Sequence, residues 1–430
     1  MASTPKSVTL DIVEVGARGD GVAELDGRRY FVPFTLPAET VEAEPIDKRG
    51  EGVAARLIEV LAPSRHREAA PCAHFTVCGG CALQHWRRDA YTAWKIGLLT
   101  RALKQRGVAA PTFEPPVVGT PGERRRVDFV LRRQGQRVLA GFHERASPRI
   151  VDVGTCVVAR PAINGLLGPL RLALAEVLPD GAGADAVVNE TDSGLDVLLR
   201  PHKRLDLSID RRQLLVELAA RADLARLSWG DRAGAEPLVI RRPPQLVLGD
   251  VTIELPPGAF LQATKRSEQA MRVAVTAWTG DAARLADLFA GVGSLSLGRA
   301  GRLSLFESDR TSVAALDGVA RNLGGNRVTA ERRDLFRNPL AARELDAFNA
   351  VVLDPPRAGA LAQCGELGHS NVARVVYASC DPGSFSRDAR TLQDSGYRLE
   401  KLMPIDQFLW SPHLELIALF VRAPLRSARR

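Results

Sequence analysis

The chain has little lysine, methionine or tyrosine: among 430 residues there are seven lysines, three methionines and four tyrosines, and aromatic residues make up 5%. It contains no run of 18 apolar residues, which argues against a membrane-spanning helix. The first residues, MASTPKSVTLDIVEVG, lack the apolar core of a signal peptide and lead directly into a strand-like stretch, so a cytoplasmic location is expected. Six cysteines (Cys72, Cys78, Cys81, Cys156, Cys364 and Cys380) are too few to staple a chain of this length. In a reducing compartment they read as ligands or nucleophiles. At 45% hydrophobic and 25% charged residues, the composition excludes a disordered or collagen-like chain. The length predicts two or three domains with ample material for a core.

Basic residues outnumber acidic ones by 58 to 50, giving a net charge of +8 and a pI near 9.5. Subtracting the seven lysines, 58 − 7 leaves 51 arginines. Genomic base composition produces such a bias as readily as function does. Arginine nevertheless forks onto phosphates and stacks on bases in ways lysine cannot, so a polyanionic partner fits. Arg124-Arg125-Arg126, Arg132-Arg133 and His202-Lys203-Arg204 are candidate phosphate contacts, although each taken singly also reads as a solvated face.

Residues 7–62 read as short strands separated by turns at Gly16, Gly19, Gly21 and Gly27, and a small closed barrel is the economical way to remove their edges. A cysteine-bearing stretch follows over 63–82, then a helix over about 82–106 that Gly107 stops. Residues 115–256 are strand-rich, with one helix at about 161–177. After residue 265 strands and helices alternate, which predicts a doubly wound parallel sheet. The expected fold is therefore α/β overall: a β-barrel over 1–62, an α+β central domain over 63–258, and a Rossmann-like domain over 259–430. A short basic tail ends at Arg430.

Asp287-Leu288-Phe289-Ala290-Gly291-Val292-Gly293 ends an apolar strand in a glycine-rich turn that is expected to open a helix. Glycines there let a ligand approach the backbone beside a helix N-terminus. Glu307, twenty residues after Asp287, ends the next strand, where an acid suits the hydroxyls of an adenosine ribose. Nucleotide, NAD and S-adenosylmethionine sites all use such turns; with the later motifs, S-adenosylmethionine is favoured over a dinucleotide. Asp354-Pro355-Pro356-Arg357 ends another strand, in a loop stiffened by two prolines.

Cys380, in VVYASCDP, also ends a buried strand at the edge where active sites collect, whereas Cys364 lies in LAQCGEL and reads as inert. His413-Leu414-Glu415 opens the last strand; if that strand runs antiparallel to its neighbours, Glu415 comes near Asp354 and Cys380. A thiolate and a carboxylate are what methylation of uracil carbon 5 requires, because that carbon becomes nucleophilic only after a thiolate adds to carbon 6, and a base must then take its proton. Cys72, Cys78 and Cys81 form C-x5-C-x2-C, with Cys156 distant, and four thiolates suit zinc and an iron–sulfur cluster equally by spacing.

Together these residues resemble the S-adenosylmethionine-dependent RNA 5-methyluridine methyltransferases, in the branch that carries an iron–sulfur cluster, over nearly the whole chain. DGRRYFVPFTLPAE resembles the TRAM domain, an OB-like RNA-binding barrel, and GFHERASPRIVDVGTC resembles the central segment of the family. Phe260-Leu261-Gln262, DLFAGVG, DPPRAGA, SCDP and HLE follow in the family's order. The resemblance implies a 4Fe–4S cluster on Cys72, Cys78, Cys81 and Cys156, Cys380 as nucleophile and Glu415 as general base. It assigns Gln262, Phe289, Gly291, Gly293, Ser294, Glu307, Asp334 and Asp354 to the S-adenosylmethionine side, with Asp354 also toward the target base. It implies structured RNA as partner, ribosomal in preference to transfer RNA, with a transfer RNA 5-methyluridine enzyme as the alternative; the oligomeric state is left open. Thr264, Ser294 and Asp381 stand where the family pattern has asparagine, which motivates a second reading, a weakly active or non-catalytic RNA-binding or RNA-folding protein. Cytosine methylation fits poorly, because its cysteine typically follows proline and Cys380 follows Ser379.

Overall fold

The computed structural model describes residues 7–230, 234–323 and 327–422; the basic tail ending at Arg430 lies outside the described residues. The chain divides into two compact units. One is built from the chain up to Leu99 with Phe142–Val151 and Phe408–His413, the other from Thr100–Gly141, Asp152–Gln407 and Leu414 onward. Among the described residues no helix is long and apolar enough to cross a membrane.

In the first unit, β1 (Val8–Asp11), β2 (Glu14–Val15), β3 (Asp20–Leu25), β4 (Arg28–Pro33), β5 (Thr40–Arg49) and β6 (Gly52–Ala62) form one sheet in the order β1-β5-β6-β4-β3-β2. Alternation along the strands sends Leu10, Ala23, Tyr30, Val32, Val41, Ala43 and Ala55 into a shared core. Three register shifts in the β5–β6 ribbon supply the bending that lets one sheet wrap that core. Glu39, 1% exposed, fastens the following segment: its carboxylate accepts from the backbone N–H of Leu36 (2.8 Å) and Ser64 (3.2 Å) and from Arg67 Nη2 (2.7 Å).

Helix α1 (Arg88–Gln105) begins later than the sequence pattern suggested. Backbone donors of the preceding residues are taken by other segments, Ala82 and Leu83 bonding Trp410 O and Arg87 bonding His66 O, so those residues cannot join the helical ladder. Gly107, at φ +63°, ends the helix as expected. Lys95, 1% exposed, donates from the middle of the helix to Phe408 O (3.0 Å) and His413 O (2.6 Å).

Most of the remaining strands lie in the second unit, although Phe142–His143 and Ile150–Val151 of the next sheet belong to the first. A short strand β7 (Val117–Val118) is followed by β8 (Arg126–Gln134), β9 (Arg137–His143), β10 (Ile150–Asp152), α2 (Pro161–Val177), β11 (Gly183–Thr191), β12 (Gly194–Pro201), α3 (Ile209–Arg221), β13 (Arg226–Gly230) and β14 (Ala235–Ile240). The strands of this region other than β7 make a sheet of order β10-β9-β8-β11-β12-β13-β14. Helix α2 lies where expected, with Pro161 in its first turn. The expectation of a single helix here is corrected by α3, whose start Ser208 caps by accepting from Arg211 N. Arg226 and Asp196, 3% and 1% exposed, form a bidentate pair at 2.8 Å across β12 and β13.

A hairpin, β15 (Gln245–Leu248) and β16 (Val251–Glu254), then packs Leu246, Leu248, Val251 and Ile253 into the core of the last region. That region comprises α4 (Lys265–Thr279), β17 (Arg284–Leu288), β18 (Arg302–Glu307), α5 (Arg310–Asn322), β19 (Val328–Arg332), α6 (Ala342–Leu345), β20 (Ala350–Leu353), α7 (Leu361–His369), β21 (Arg374–Ser379), α8 (Pro382–Asp394), β22 (Arg398–Asp406) and β23 (Glu415–Val421). The sheet order is β19-β18-β17-β20-β21-β23-β22-β7. Strands β17 to β21 are parallel, and β23 runs antiparallel to both β21 and β22. The order reverses between β17 and β20, the place where open α/β sheets bind ligands.

One expectation fails in this sheet. The glycine turn after β17 does not open a helix: residues 291–298 are successive turns and the chain returns directly to β18. A crossover between parallel strands ordinarily takes a dozen or more residues including its helix. Here it spans Phe289 to Gly301, close to that minimum, with Gly291, Gly293, Gly298 and Gly301 all at positive φ. Four left-handed glycines in so short a stretch, rather than length alone, keep it out of a regular helix.

Candidate active site

Register brings the chemistry together. Leu288 pairs with Leu353, Leu353 with Tyr377 and Ser379 with Leu416, so Phe289, Asp354, Cys380 and Glu415 all sit at one edge of the sheet. The antiparallel β23 reverses direction there, which puts the start of that strand beside the ends of the parallel ones. Glu415 is 4% exposed, while Asp354 and Cys380 are half-buried.

Electrostatics follow from that crowding. Burial pushes the Cys380 thiol up to about 12, and the charges of Glu415, Asp354 and Asp381 add to the rise while Arg357 opposes it. Glu415 is raised to about 8 by burial and by Asp354, against a lowering hydrogen bond from Gln407. Asp354 is raised by burial to about 7. Burial also lifts Asp287, 1% exposed, to about 7; Ser296 donates to its carboxylate, and Asp354 and Glu307 repel its charge. Anionic groups therefore stand close together in a site with few neutralising cations.

Gln262 and a residue the sequence reading passed over, Gln407, connect the carboxylates. Gln262 Nε2 donates to Asp354 Oδ2 (3.3 Å), while Gln407 Nε2 donates to Gln262 Oε1 (2.9 Å) and to Glu415 Oε2 (2.7 Å). Arg125, 1% exposed, holds the Gln262 segment by donating to Gln262 O (3.0 Å) and pairing with Glu268 of α4. This corrects one expectation: a side chain so buried is not available to phosphate, whereas Arg126 lies over the ring of Phe260, which is 62% exposed.

On the glycine side, Phe289 takes φ +63°, a strained conformation for a bulky residue that is commonly kept at ligand sites. A Cβ on Gly291 would meet nothing within 4 Å, so the loop faces open space. Glu307 closes the loop onto the sheet: it accepts from Gly291 N (2.9 Å), Ser308 N (2.6 Å) and Asp309 N (2.7 Å). Ser294 contributes its carbonyl, which accepts from Arg272 Nη1 (2.6 Å). Asp334 is exposed and shapes the turn after β19 by accepting from Phe336 N (3.0 Å). That turn presents Phe336, 51% exposed, with its ring 5.2 Å from that of Phe289. The two rings touch and together make an apolar wall against which a flat heterocycle could lie; the lone aromatic residue in an arginine-rich stretch, RRDLFRN, was the available sequence signal.

The residues that replace asparagine have structural work. Thr264 Oγ1 caps α4, accepting from Ser267 N (3.1 Å), and Asp381 Oδ1 caps α8, accepting from Ser384 N (2.9 Å). Cys364 is fully buried in α7, and burial drives its thiol well above the ordinary range, as befits an inert residue.

In the first unit Cys72, Cys78 and Cys81 are half-buried, and Gly80 N–H donates to Cys78 Sγ (3.4 Å). Cys156, in the second unit, has its backbone N–H bound by Asn164 Oδ1 (2.8 Å). Among the described residues no three His, Cys, Asp or Glu side chains converge as metal ligands.

Residues 250–423 match the tRNA (Uracil-5-)-methyltransferase family, and that stretch contains every residue of the sheet-edge site. A 23S rRNA (uracil(1939)-C(5))-methyltransferase RlmD from Chromohalobacter salexigens is 31% identical over 96% of this chain and 89% of its own length. The chain belongs to the S-adenosylmethionine-dependent RNA (uracil-5-)-methyltransferases. An uncharacterized RNA methyltransferase of Brucella suis biovar 1 is 41% identical over 98% of this methyltransferase and 99% of its own length. In fold, the enzyme is similar to the Pyrococcus abyssi tRNA (uracil-54, C5)-methyltransferase in complex with S-adenosyl-L-homocysteine, with a TM-score of 0.72, 22% identity, and coverage of 95% of this chain and 98% of that one.

Proposed function

We propose that this methyltransferase modifies carbon 5 of a uridine in structured RNA, 23S ribosomal RNA before transfer RNA, through a transient covalent bond from Cys380. The observation that carries the reading is the convergence of Cys380 and Glu415 at the ends of two antiparallel strands. The preference for ribosomal RNA rests on the full-length similarity to a 23S rRNA enzyme. The target base would be flipped from its stack to reach the thiolate.

The steps balance with these residues alone and one methyl donor. Cys380 Sγ bonds carbon 6, and the ring π electrons move to form an enolate. Carbon 5 then bonds the methyl carbon as the methyl–sulfonium bond breaks. Glu415 takes the carbon 5 proton, the double bond reforms and the thiolate leaves. S-adenosylmethionine is assigned to the loop of Phe289, Gly291, Gly293 and Ser294, with Glu307 at the ribose, Asp334 and Phe336 on the adenine side, and Gln262 and Asp354 toward the methionine and the base. Its sulfonium brings a positive charge into the acidic cluster, which lowers the cost of ionising Cys380.

The domain plan in this reading is an RNA-binding TRAM barrel over 1–62, a central RNA-binding domain over 63–258 and the methyltransferase domain over 259–430. Cys72, Cys78, Cys81 and Cys156 are assigned a 4Fe–4S cluster with a structural task; the thiol donor set and the amide–sulfur contact at Cys78 suit it. Anaerobically purified protein should then be brown with about four irons per chain, and a colourless protein with stoichiometric zinc overturns the cluster.

Cys380→Ala tests the central claim. Methyl transfer should fall by about 10⁴-fold or more, as expected for loss of an attacking group, with RNA affinity retained. Wild-type enzyme should form a stable adduct with 5-fluorouracil-containing RNA at Cys380; a variant that still turns over, or an adduct mapped to a different side chain, defeats the assignment.

A further inference from the structure

Gln407 lies between β22 and the segment leading to β23, is 3% exposed, and belongs to none of the motifs that carry the family resemblance. A carboxamide has one oxygen that only accepts and one nitrogen with two hydrogens that only donate. The Gln407 oxygen accepts from the backbone N–H of Ala263 (2.9 Å), and a backbone N–H can do nothing but donate. This fixes which way the Gln407 amide faces. Its two N–H groups then point at Gln262 Oε1 (2.9 Å) and Glu415 Oε2 (2.7 Å), so all three polar functions are used.

The consequence passes one residue further. Because Gln262 Oε1 is occupied by a donor, the Gln262 nitrogen must face the opposite way, toward Asp354 Oδ2 (3.3 Å). One main-chain amide thereby sets the sense of a chain running Ala263–Gln407–Gln262–Asp354, with a branch to Glu415.

We propose that Gln407 is a positioning residue for the methylation reaction: it holds the Glu415 carboxylate in place to remove the carbon 5 proton and locks the Gln262 amide with its N–H groups on the Asp354 side. The inference rests on the proposed cysteine-adduct reading.

The test separates carbon–sulfur bond formation from proton removal. Gln407→Met keeps the volume and loses both donors. It should retain S-adenosylmethionine affinity and form the 5-fluorouracil RNA adduct within about threefold of the wild-type rate, since that adduct stalls before proton abstraction. Tritium release from 5-tritiated uridine RNA should fall by about 10–100-fold, within the range expected for misplacing a general base. The acid limb of the pH–rate profile should move upward by about one unit, because the carboxylate loses a donor. If this variant does not fold, Gln407→Leu, which also removes both donors without adding a charge, carries the same comparison. Wild-type proton release with an unmoved pH limb, or equal loss of adduct and proton release, overturns the role of Gln407. Absence of the adduct in wild-type enzyme overturns the underlying reading instead.

Discussion

At the scale of single residues, the site combines groups that repel one another. Glu415 illustrates the cost. Its carboxyl goes from an ordinary value of 4.5 to about 8 on folding, so between those values the folded chain holds a proton the unfolded chain has lost. Stability at this residue is fully present at low pH and is lost as pH rises through that window. Glu415→Gln should therefore match wild type in thermal unfolding near pH 4 and exceed it above pH 8, while turnover falls by about 10²–10⁴-fold. A variant with the same pH dependence of melting as wild type would show that the carboxyl is not strained by its surroundings. Cys380 follows the same electrostatic logic in the same direction. With its thiol raised to about 12, alkylation by iodoacetamide at pH 8 should be slow, and faster with the cationic analogue sinefungin bound than with neutral S-adenosylhomocysteine. Equal rates with the two ligands would exclude charge as the activating agent.

At the scale of elements, caps and close approaches hold the catalytic loops. Asp381 follows Cys380 directly and caps α8, so its side chain serves the helix while its charge burdens the thiol. Asp381→Asn should keep the cap and ease formation of the thiolate, whereas Asp381→Ala should lower stability by about 0.5–2 kcal/mol, measured by denaturant unfolding. The Asp354 loop is tied down similarly: fully buried Asp388 of α8 accepts from Ala360 N (2.6 Å) and Tyr377 Oη (2.7 Å). Much of this level was legible beforehand. Strand ends carrying Phe289, Asp354 and Cys380 follow from apolar runs broken by turn residues, whereas the reversal of β23 that delivers Glu415 entered only as a condition, since an apolar run does not disclose strand direction. The absent helix after Gly293 was not legible from the glycine pattern, which resembles a helix start. Two further glycines before β18, Gly298 and Gly301, are the local signal against it. Helix α3 was missed although Ser208 and Asp210 mark its start, because the strands on both sides set the expectation. Gln407 was invisible for a different reason: its meaning comes from partners 145 and eight residues away, and no local pattern distinguishes a buried glutamine from a surface one.

At the scale of the whole molecule, the net charge of +8 is spread among many partnered arginines. Arg125, Arg226 and Arg272 all serve the interior, so the arginine excess is not simply an RNA-binding surface. Asp196→Ala, which strands the buried Arg226 guanidinium, should destabilise the second unit by about 3–5 kcal/mol in denaturant unfolding. For RNA, binding by the exposed remainder should show a steep salt dependence. If about six phosphates are contacted, affinity falls by about 10³-fold between 50 and 200 mM salt, equally for wild type and Cys380→Ala. A flat dependence would assign the charge excess to composition alone. Fold class and the order of the sheet's motifs were readable along the chain at this scale, since each strand announces itself locally. How the intervening segments are shared between two units was not, because that depends on which distant surfaces meet.

The turn-only return from β17 to β18 also bears on motion. Lacking a helical ladder, residues 291–298 borrow their rigidity from α4, where Arg272 grips Ser294 O (2.6 Å) and Leu297 O (2.8 Å), while a Cβ on Gly298 would collide with Leu248 O. Deuterium uptake in that stretch should consequently rise and fall with opening of α4 rather than independently. The same helix begins just after Gln262, so loosening its grip would soften both banks of the pocket in a single cooperative event.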